Sequence, residues 1–370
     1  MASRVPARLL VLRRAVAQRL IRPGRRQPSP DPGRILIAHH LLLGDTLMLT
    51  PLIAKLRALH PRAEIVMTVS AAIAPLYQRQ PYGVTVWAWN PRDPGSVRAM
   101  LASQGFDLAV VPGANRHSWL ALALGARWIV AHAGDRPAYT SWPVDELIPY
   151  PDTPAAWGDM IAQLIDGPPP PPYDPADWPA PDCAPFAPPT RPYAVLHVGA
   201  SSPLRLWQPQ GWRALATRLT GRGYAVVWSS GRGEEEIAAA IDPDGRFASY
   251  AGKLDLPQLW HLLRDAALLV CPDTGVAHLG RLTNTPTATL FGPGSAVLFG
   301  AGDFWRAGAY RAVTVDPFPC RDQRTLFKRE IAWVRRCQRT LAECPAPRCM
   351  HAIGADEVAR AALDCARHVG

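Results

Sequence analysis

Short unbroken apolar runs alternate with stretches of helical periodicity along most of the chain. In the first half the runs fall at residues 34–38, 64–69, 84–89, 108–111 and 128–131. A helical pattern fills residues 45–59 and stops at His60-Pro61. In the second half the runs fall at 193–198, 225–229, 267–270 and 287–291, with helical stretches at 211–220, after Glu234, and at 257–264. Apolar runs this short are buried strands, and strands alternating with helices build parallel sheets. The pattern predicts an α/β protein of two successive Rossmann-like domains.

Proline divides the two halves. Residues 166–192 read DGPPPPPYDPADWPAPDCAPFAPPTRP, and proline fixes φ and lacks the N–H that a helix interior or central strand needs. This segment is a semi-rigid extended connector. The predicted organisation is a basic tail and linker over residues 1–33 and a first Rossmann-like domain over 34–165. The connector follows over 166–192, then a second domain over 193–370 that ends in a cysteine-containing segment and an amphipathic helix, ADEVARAALDCA.

Charge changes the reading of the tail only. Of the formal +10, residues 1–34 supply +8, from nine arginines against Asp31. The remaining 336 residues carry about +2, so the fold itself is not basic and nucleic acid is not an expected partner. In the tail, Val5, Leu9, Leu12, Val16 and Leu20 recur at spacings of three and four, making one apolar stripe on a basic helix. Arg13-Arg14 break the unbroken apolar stretch that a secretory signal needs. A helix of this kind over residues 1–26 is expected to lie on an anionic membrane surface.

Three loops at strand ends in the second half hold the candidate chemistry. Gly199, Ser201 and Ser202 offer hydroxyls and free N–H groups for phosphate, with Arg205 as a cation beside them. Glu234 can accept from sugar hydroxyls. CPDTGVAHLG places Asp273, Thr274, Gly275 and His278 where a helix N-terminus meets an anion, with the Asp273 carboxylate expected to open into the cleft. Asp45, after Gly44, reads on its own as a helix N-cap. Asp242-x-Asp244 has metal-binding spacing, but Pro-Asp-Gly makes it a turn.

The span from residue 34 to about 363 resembles glycosyltransferase family 9, the heptosyltransferases of lipopolysaccharide core assembly. The resemblance rests on RILI…GDTLMLTPLIAKLRALHPRAEI, LHVGASSPLRLWQPQGWRALATRL and CPDTGVAHLGRLTNTPTATLFGPG. It implies a GT-B-type fold of two facing Rossmann-like domains with a cleft between them. It also implies an ADP-sugar donor in the second domain, a lipid-linked or surface-glycan acceptor in the first, and no required cofactor or metal. Asp45 matches the general base of an inverting transfer, and Ser201 and Ser202 match the phosphate ligands. Glu234 matches the ribose ligand, Leu254 the apolar neighbour of adenine, and Asp273, Thr274, Gly275 and His278 the donor clamp. Arg205 stands where a lysine is usual. His39 stands where a basic residue is common, and with His40 it is the acceptor-side candidate and the alternative base. Such an enzyme would be cytoplasmic, peripheral on the inner face of the cytoplasmic membrane. The alternatives are a sugar-nucleotide epimerase of the same fold and a non-catalytic protein binding nucleotide or anionic lipid.

Cys320, Cys337, Cys344 and Cys349 lack the paired C-x₂-C spacing of a zinc ribbon. A structural metal at these four is the lesser reading beside unconnected thiols.

Overall fold

The computed structural model describes residues 3–21, 27–103, 105–190 and 192–367. Its first sheet contains β1 (Arg34–Ile37), β2 (Glu64–Val69), β3 (Val84–Ala88), β4 (Phe106–Val111), β5 (Ala126–His132) and β6 (Glu146–Ile148), in the order β3-β2-β1-β4-β5-β6. The second contains β7 (Tyr193–His197), β8 (Ala225–Ser229), β9 (Ala248–Ser249), β10 (Leu268–Pro272), β11 (Thr287–Phe291) and β12 (Tyr310–Thr314), in the order β12-β11-β10-β7-β8-β9. Read from its other edge, the second sheet repeats the order of the first. All pairings within both sheets are parallel. The central strands are covered on both faces, which is why Ile35, Leu36 and Ile37 are all fully buried.

The strand order reverses between β1 and β4 in one sheet and between β7 and β10 in the other. Ligands of such sheets bind at these switch points, outside the carboxyl ends of the strands. The strands that the hydrophobic pattern did not indicate are β6, β9 and β12. All three are edge strands, part-exposed and too polar to make an apolar run.

Helices of the first half are α1 (Val5–Ile21), α2 (Leu43–Leu47), α3 (Thr50–Leu59), α4 (Pro94–Ala102), α5 (Ser118–Ala123) and α6 (Trp157–Ala162). Those of the second are α7 (Pro209–Thr220), α8 (Glu235–Ile241), α9 (Leu256–Arg264), α10 (Gly275–Leu282), α11 (Ala296–Phe299), α12 (Arg348–His351) and α13 (Ala355–Arg367). The helix expected over 45–59 is two helices. Pro51 has no N–H for the Leu47 carbonyl, and the Thr50 hydroxyl donates to that carbonyl instead, at 2.6 Å. The chain therefore restarts as α3 with Pro51 in its first turn.

The segments read as a basic tail and as a connector are both packed on the domains. α1 lies on α4 and α5 and buries Ala7, Ala15 and Gln18 there; Arg22, Arg25 and Arg26 of the basic tail lie outside the described residues. The proline-rich connector is laid into both domains. Trp178 is buried against Tyr77 of the first, and the Tyr173 hydroxyl donates to the Leu282 carbonyl of the second.

Candidate active site

A cavity of about 810 Å³ lies between the two switch points. From the first domain it is lined by residues 42–45, directly after β1. From the second it is lined by the loops that follow β7, β8 and β10, including Ser201, Ser202, Arg205, Glu234, Asp273, Thr274, Gly275 and His278. Asp45 and eight of the donor-side candidates thus meet in one cleft. Leu254 does not line it; the side chain packs, part-buried, on the apolar core beside α9.

The cleft floor is made by two helix N-termini that face each other, α2 and α10. Close approach explains both glycines: a Cβ on Gly44 would sit 3.2 Å from Gly275 Cα, and one on Gly275 would sit 3.1 Å from Gly44 N. Thr274 is the N-cap of α10, its hydroxyl accepting from Val276 N at 3.3 Å. Both N-termini line the cavity, and the N–H groups of a helix start suit an anion.

Asp45 is not a helix cap. The N-cap of α2 is Leu42, without a side-chain bond, and Asp45 is the third residue of the helix. No described residue hydrogen-bonds its carboxyl group, which is free to take a proton from outside. Burial, and then the nearby Asp273 carboxylate, push its pKa up to about 6 against the pull of Arg205 and Arg336. A carboxylate so placed is matched to proton transfer near neutral pH.

On the donor side, Arg205 donates to the Asp273 carbonyl at 2.9 Å, which fixes the guanidinium between the two loops. One Glu234 oxygen accepts from Gly231 N at 2.9 Å and ties its loop shut. Asp273 departs from the sequence expectation: it is buried, and its Oδ2 has no hydrogen-bond partner. Burial raises its pKa, opposed by Arg205, Arg336 and Arg281. A carboxyl whose folded pKa is raised gives most stability below its unfolded pKa and loses it as pH rises. Asp273→Asn is therefore expected to melt no lower than the parent at pH 8. A fall of several degrees in a thermal scan would show instead that the charge holds the loop.

His278 takes a defined form. Arg281 donates to its Nδ1 at 2.7 Å and to the Gly300 and Phe299 carbonyls at 2.6 and 2.8 Å. Arginine has no acceptor, so the His278 proton sits on Nε2. Burial, then Arg281, lower the His278 pKa well below its ordinary value, leaving a neutral donor on the Gly44 side.

The acceptor-side histidines behave differently. His39 is fully buried and does not line the cleft. Its Nδ1 accepts from Leu41 N, and its carbonyl from Thr68 Oγ1 and Trp89 Nε1. It is a sealed core residue and cannot serve as the alternative base. His40 is half-buried, edge-on to the Trp89 ring at 5.2 Å.

The hydrophobic pattern gave no sign of the cleft's last wall. After β12 the chain leaves the second domain, enters the first and returns. At the start of this strap Arg321 is buried and donates to the Gly292 and Phe291 carbonyls. Its hairpin, Thr325–Leu326 paired with Arg329–Glu330, reaches the first domain. There Arg329 donates to Asn115 Oδ1 at 2.6 Å and to the Ala133 and His132 carbonyls, and stands 3.8 Å from Asp135. Trp333 Nε1 donates to the Pro151 carbonyl, and Cys337 N returns to the Pro293 carbonyl. The strap brings Lys328, Arg336 and Arg339 to the cavity. Arg336 Nε is buried without a hydrogen-bond partner; its guanidinium lies over the Phe299 ring, 5.4 Å from the centroid, within electrostatic reach of Asp45 and Asp273. A signal existed in the sequence: residues 320–339 hold seven Lys or Arg against two acids.

Cys320, Cys337, Cys344 and Cys349 do gather around one small cavity of about 90 Å³, behind the strap. Among the described residues, however, no three His, Cys, Asp or Glu side chains are drawn together closely enough to hold a metal ion. Asp242 is a turn residue, its carboxylate accepting from Trp228 Nε1, Arg246 N and Phe247 N.

Comparison with known proteins places this geometry. Residues 95–327 match the model of glycosyltransferase family 9 (heptosyltransferase). Lipopolysaccharide heptosyltransferase 3 of Escherichia coli is 30% identical over 142 residues, which cover 36% of this chain and 40% of that protein. The matched stretch is thus well under half of that relative's length. Among solved structures, the glycosyl transferase family 9 protein of Veillonella parvula superposes with a TM-score of 0.71 at 15% identity, covering 93% of this chain and all of that one. The E. coli ADP-heptose lipopolysaccharide heptosyltransferase II superposes at 0.67 and 17% identity, covering 91% and 99%. The two facing sheets have the GT-B-type arrangement of these neighbours, and the chain belongs to glycosyltransferase family 9, the heptosyltransferase family.

Proposed function

We propose that this protein transfers a heptose, or a similar sugar, from an ADP-sugar to a lipid-linked or surface-glycan acceptor, inverting the anomeric centre and using no metal. One observation carries the reading. A carboxylate free of protein partners, with its pKa raised to about 6, lines one cleft with the N-terminus of α10 and the cations Arg205 and Arg336. An ADP-heptose enzyme with the same fold supports the choice of donor.

In this reading the donor diphosphate lies on the Thr274–Gly275 amides and the hydroxyls of Ser201 and Ser202. The free oxygen of Glu234 takes a ribose hydroxyl. The acceptor hydroxyl enters from the first domain, and its oxygen bonds to the anomeric carbon as the carbon–oxygen bond to the diphosphate breaks. Asp45 receives the proton. The departing ADP carries its charge onto Arg205, Arg336 and the α10 dipole, and His278 Nε2–H can donate to the sugar or phosphate. Attack from the domain opposite the leaving group gives inversion. The cations do the work that a metal does elsewhere.

A thermal-shift screen against ADP-, UDP-, GDP- and dTDP-sugars tests the donor. ADP-sugar at a hundred times its Kd is expected to add about 2.7 kcal/mol of apparent stability. An equal response to all four would remove the adenine preference, and no response to any would end the reading. Transfer to acceptor should survive a chelator, and donor incubated alone should yield no isomer. Such an enzyme would work on the cytoplasmic face of the membrane. Among the described residues, no helix is long and apolar enough to cross one.

A further inference from the structure

α1 is docked the wrong way round for a helix that serves only the core. Its contact face buries Ala7, Ala15 and Gln18, with Leu10 and Val11 half-buried on the same core. A second set of large apolar residues points away: Val5, Leu9, Leu12, Val16 and Leu20 are 44–74% exposed. At 100° per residue these five form one stripe, bordered by Arg8 and Arg19 on one side and Arg13 on the other. Residues 3–21 contain no acid. The packing that should hide such a stripe has been spent on the opposite face.

A second exposed apolar feature shares its support. Tyr139 and Trp142 are 53% and 73% exposed and meet edge to face at 6.4 Å. Their segment is fastened to α5 by Ser118 Oγ donating to the Thr140 carbonyl and Trp119 Nε1 donating to the Tyr139 carbonyl. α1 packs on the same helix. This segment follows β5, on the rim of the first sheet that bounds the cleft. The N-terminal end of α1 reaches that rim too: Arg4 and Arg8 lie close enough to Arg116, after β4, to add to burial in lowering its pKa, and Arg4 also acts on His40.

We infer that the outward stripe of α1, its flanking arginines and the Tyr139–Trp142 corner form one docking face for an anionic lipid bilayer. Each part fits a different layer of that partner. Leu and Val enter the acyl boundary, Trp and Tyr sit at the headgroup level, and arginines meet lipid phosphate. A second protein would supply acidic groups without needing an interfacial aromatic pair, so the chemistry favours lipid. Because α1 is fixed to the first domain, docking would hold that domain's rim of the cleft at the bilayer, where a lipid-linked acceptor resides.

Flotation of the full chain with vesicles tests this. It should float with phosphatidylcholine vesicles containing phosphatidylglycerol, float far less with pure phosphatidylcholine, and be released by salt. Leu9→Glu with Leu12→Glu is expected to lower vesicle affinity by roughly ten-fold or more, since acids replace the residues that insert. Trp142→Ala should lower it by less. Both variants should keep the parent's melting temperature and its response to ADP-sugar, so failure here is distinct from failure of the proposed activity. Parent protein that stays out of anionic vesicles, or a double variant that floats like the parent, overturns the inference. So does a parent dimer in light scattering that the double variant dissolves, because a second copy would then cover the stripe.

Discussion

Asp45→Asn is expected to lower turnover by roughly 10²–10⁴ while leaving ADP-sugar affinity almost unchanged, the signature of a lost general base. Asparagine keeps the size and shape of the side chain but cannot take a proton. The pH profile sharpens the test. Burial and Asp273 place the Asp45 pKa at about 6, so kcat/KM of the parent should rise with pH through about 6 and then level. That limb should vanish in the variant. Bound diphosphate adds negative charge to the cleft, so the corresponding limb in kcat should sit at higher pH. The same shift has a stability consequence. An unfolded aspartate titrates near pH 3.9, so the native state holds this proton more tightly and loses stability as pH climbs from about 4 to about 6. The variant should therefore equal the parent near pH 4 and exceed it at pH 8. Turnover within a few-fold of the parent would assign proton transfer elsewhere, and the sealed His39 could not be its seat.

Arg329→Met carries the second large effect. Arg329 and Asp135 are each 2% exposed at the side chain, and removing one partner strands the other without water. Asn115 Oδ1 and two carbonyls lose their donor as well. Breaking such a buried pair costs about 3–5 kcal/mol. Adding Asp135→Asn should recover part of the loss, because the stranded charge goes with it. Chemical denaturation followed at the first domain reads both changes; a loss below about 1 kcal/mol would mean the strap is not rooted there. A detached strap also withdraws Arg336 from the cleft, so kcat/KM should fall even under conditions where the variant is folded.

The central strands and the loops after β1, β7 and β10 were legible in the sequence for one reason. Strands buried on both faces must be continuously apolar, and the loops directly after them lie at the carboxyl edge of the sheet, where ligands bind. Ser201, Arg205 and Asp273 were placed by that logic, whereas Asp45 read on its own as a helix N-cap and was singled out only by the family resemblance. What was not legible depends on distance in the chain. Arg336 reaches the cleft only because Arg329 and Trp333 pull their segment across to the first domain, and local periodicity does not encode that journey. The docking of α1 on the first domain was not legible for a related reason. The apolar stripe that the pattern shows is the exposed side, and the contact is made instead by Ala7, Ala15 and Gln18 with Leu10 and Val11 half-buried. His39 shows the opposite error: polar in type and at a strand end, it lies turned into the core beside Thr68 and Trp89.

The strap also sets an order of events at the ribosome. Arg329 meets Asn115 across 214 residues of chain, and at roughly 5–20 residues per second that gap is about 10–40 s of synthesis. During that interval the first domain emerges with the counter-ion of Asp135 not yet made. This corner of it is completed only by a segment that follows the second domain. Its completion waits for the end of the second domain, so a chain truncated before residue 329 should expose its first half to proteases even though that half is entirely present.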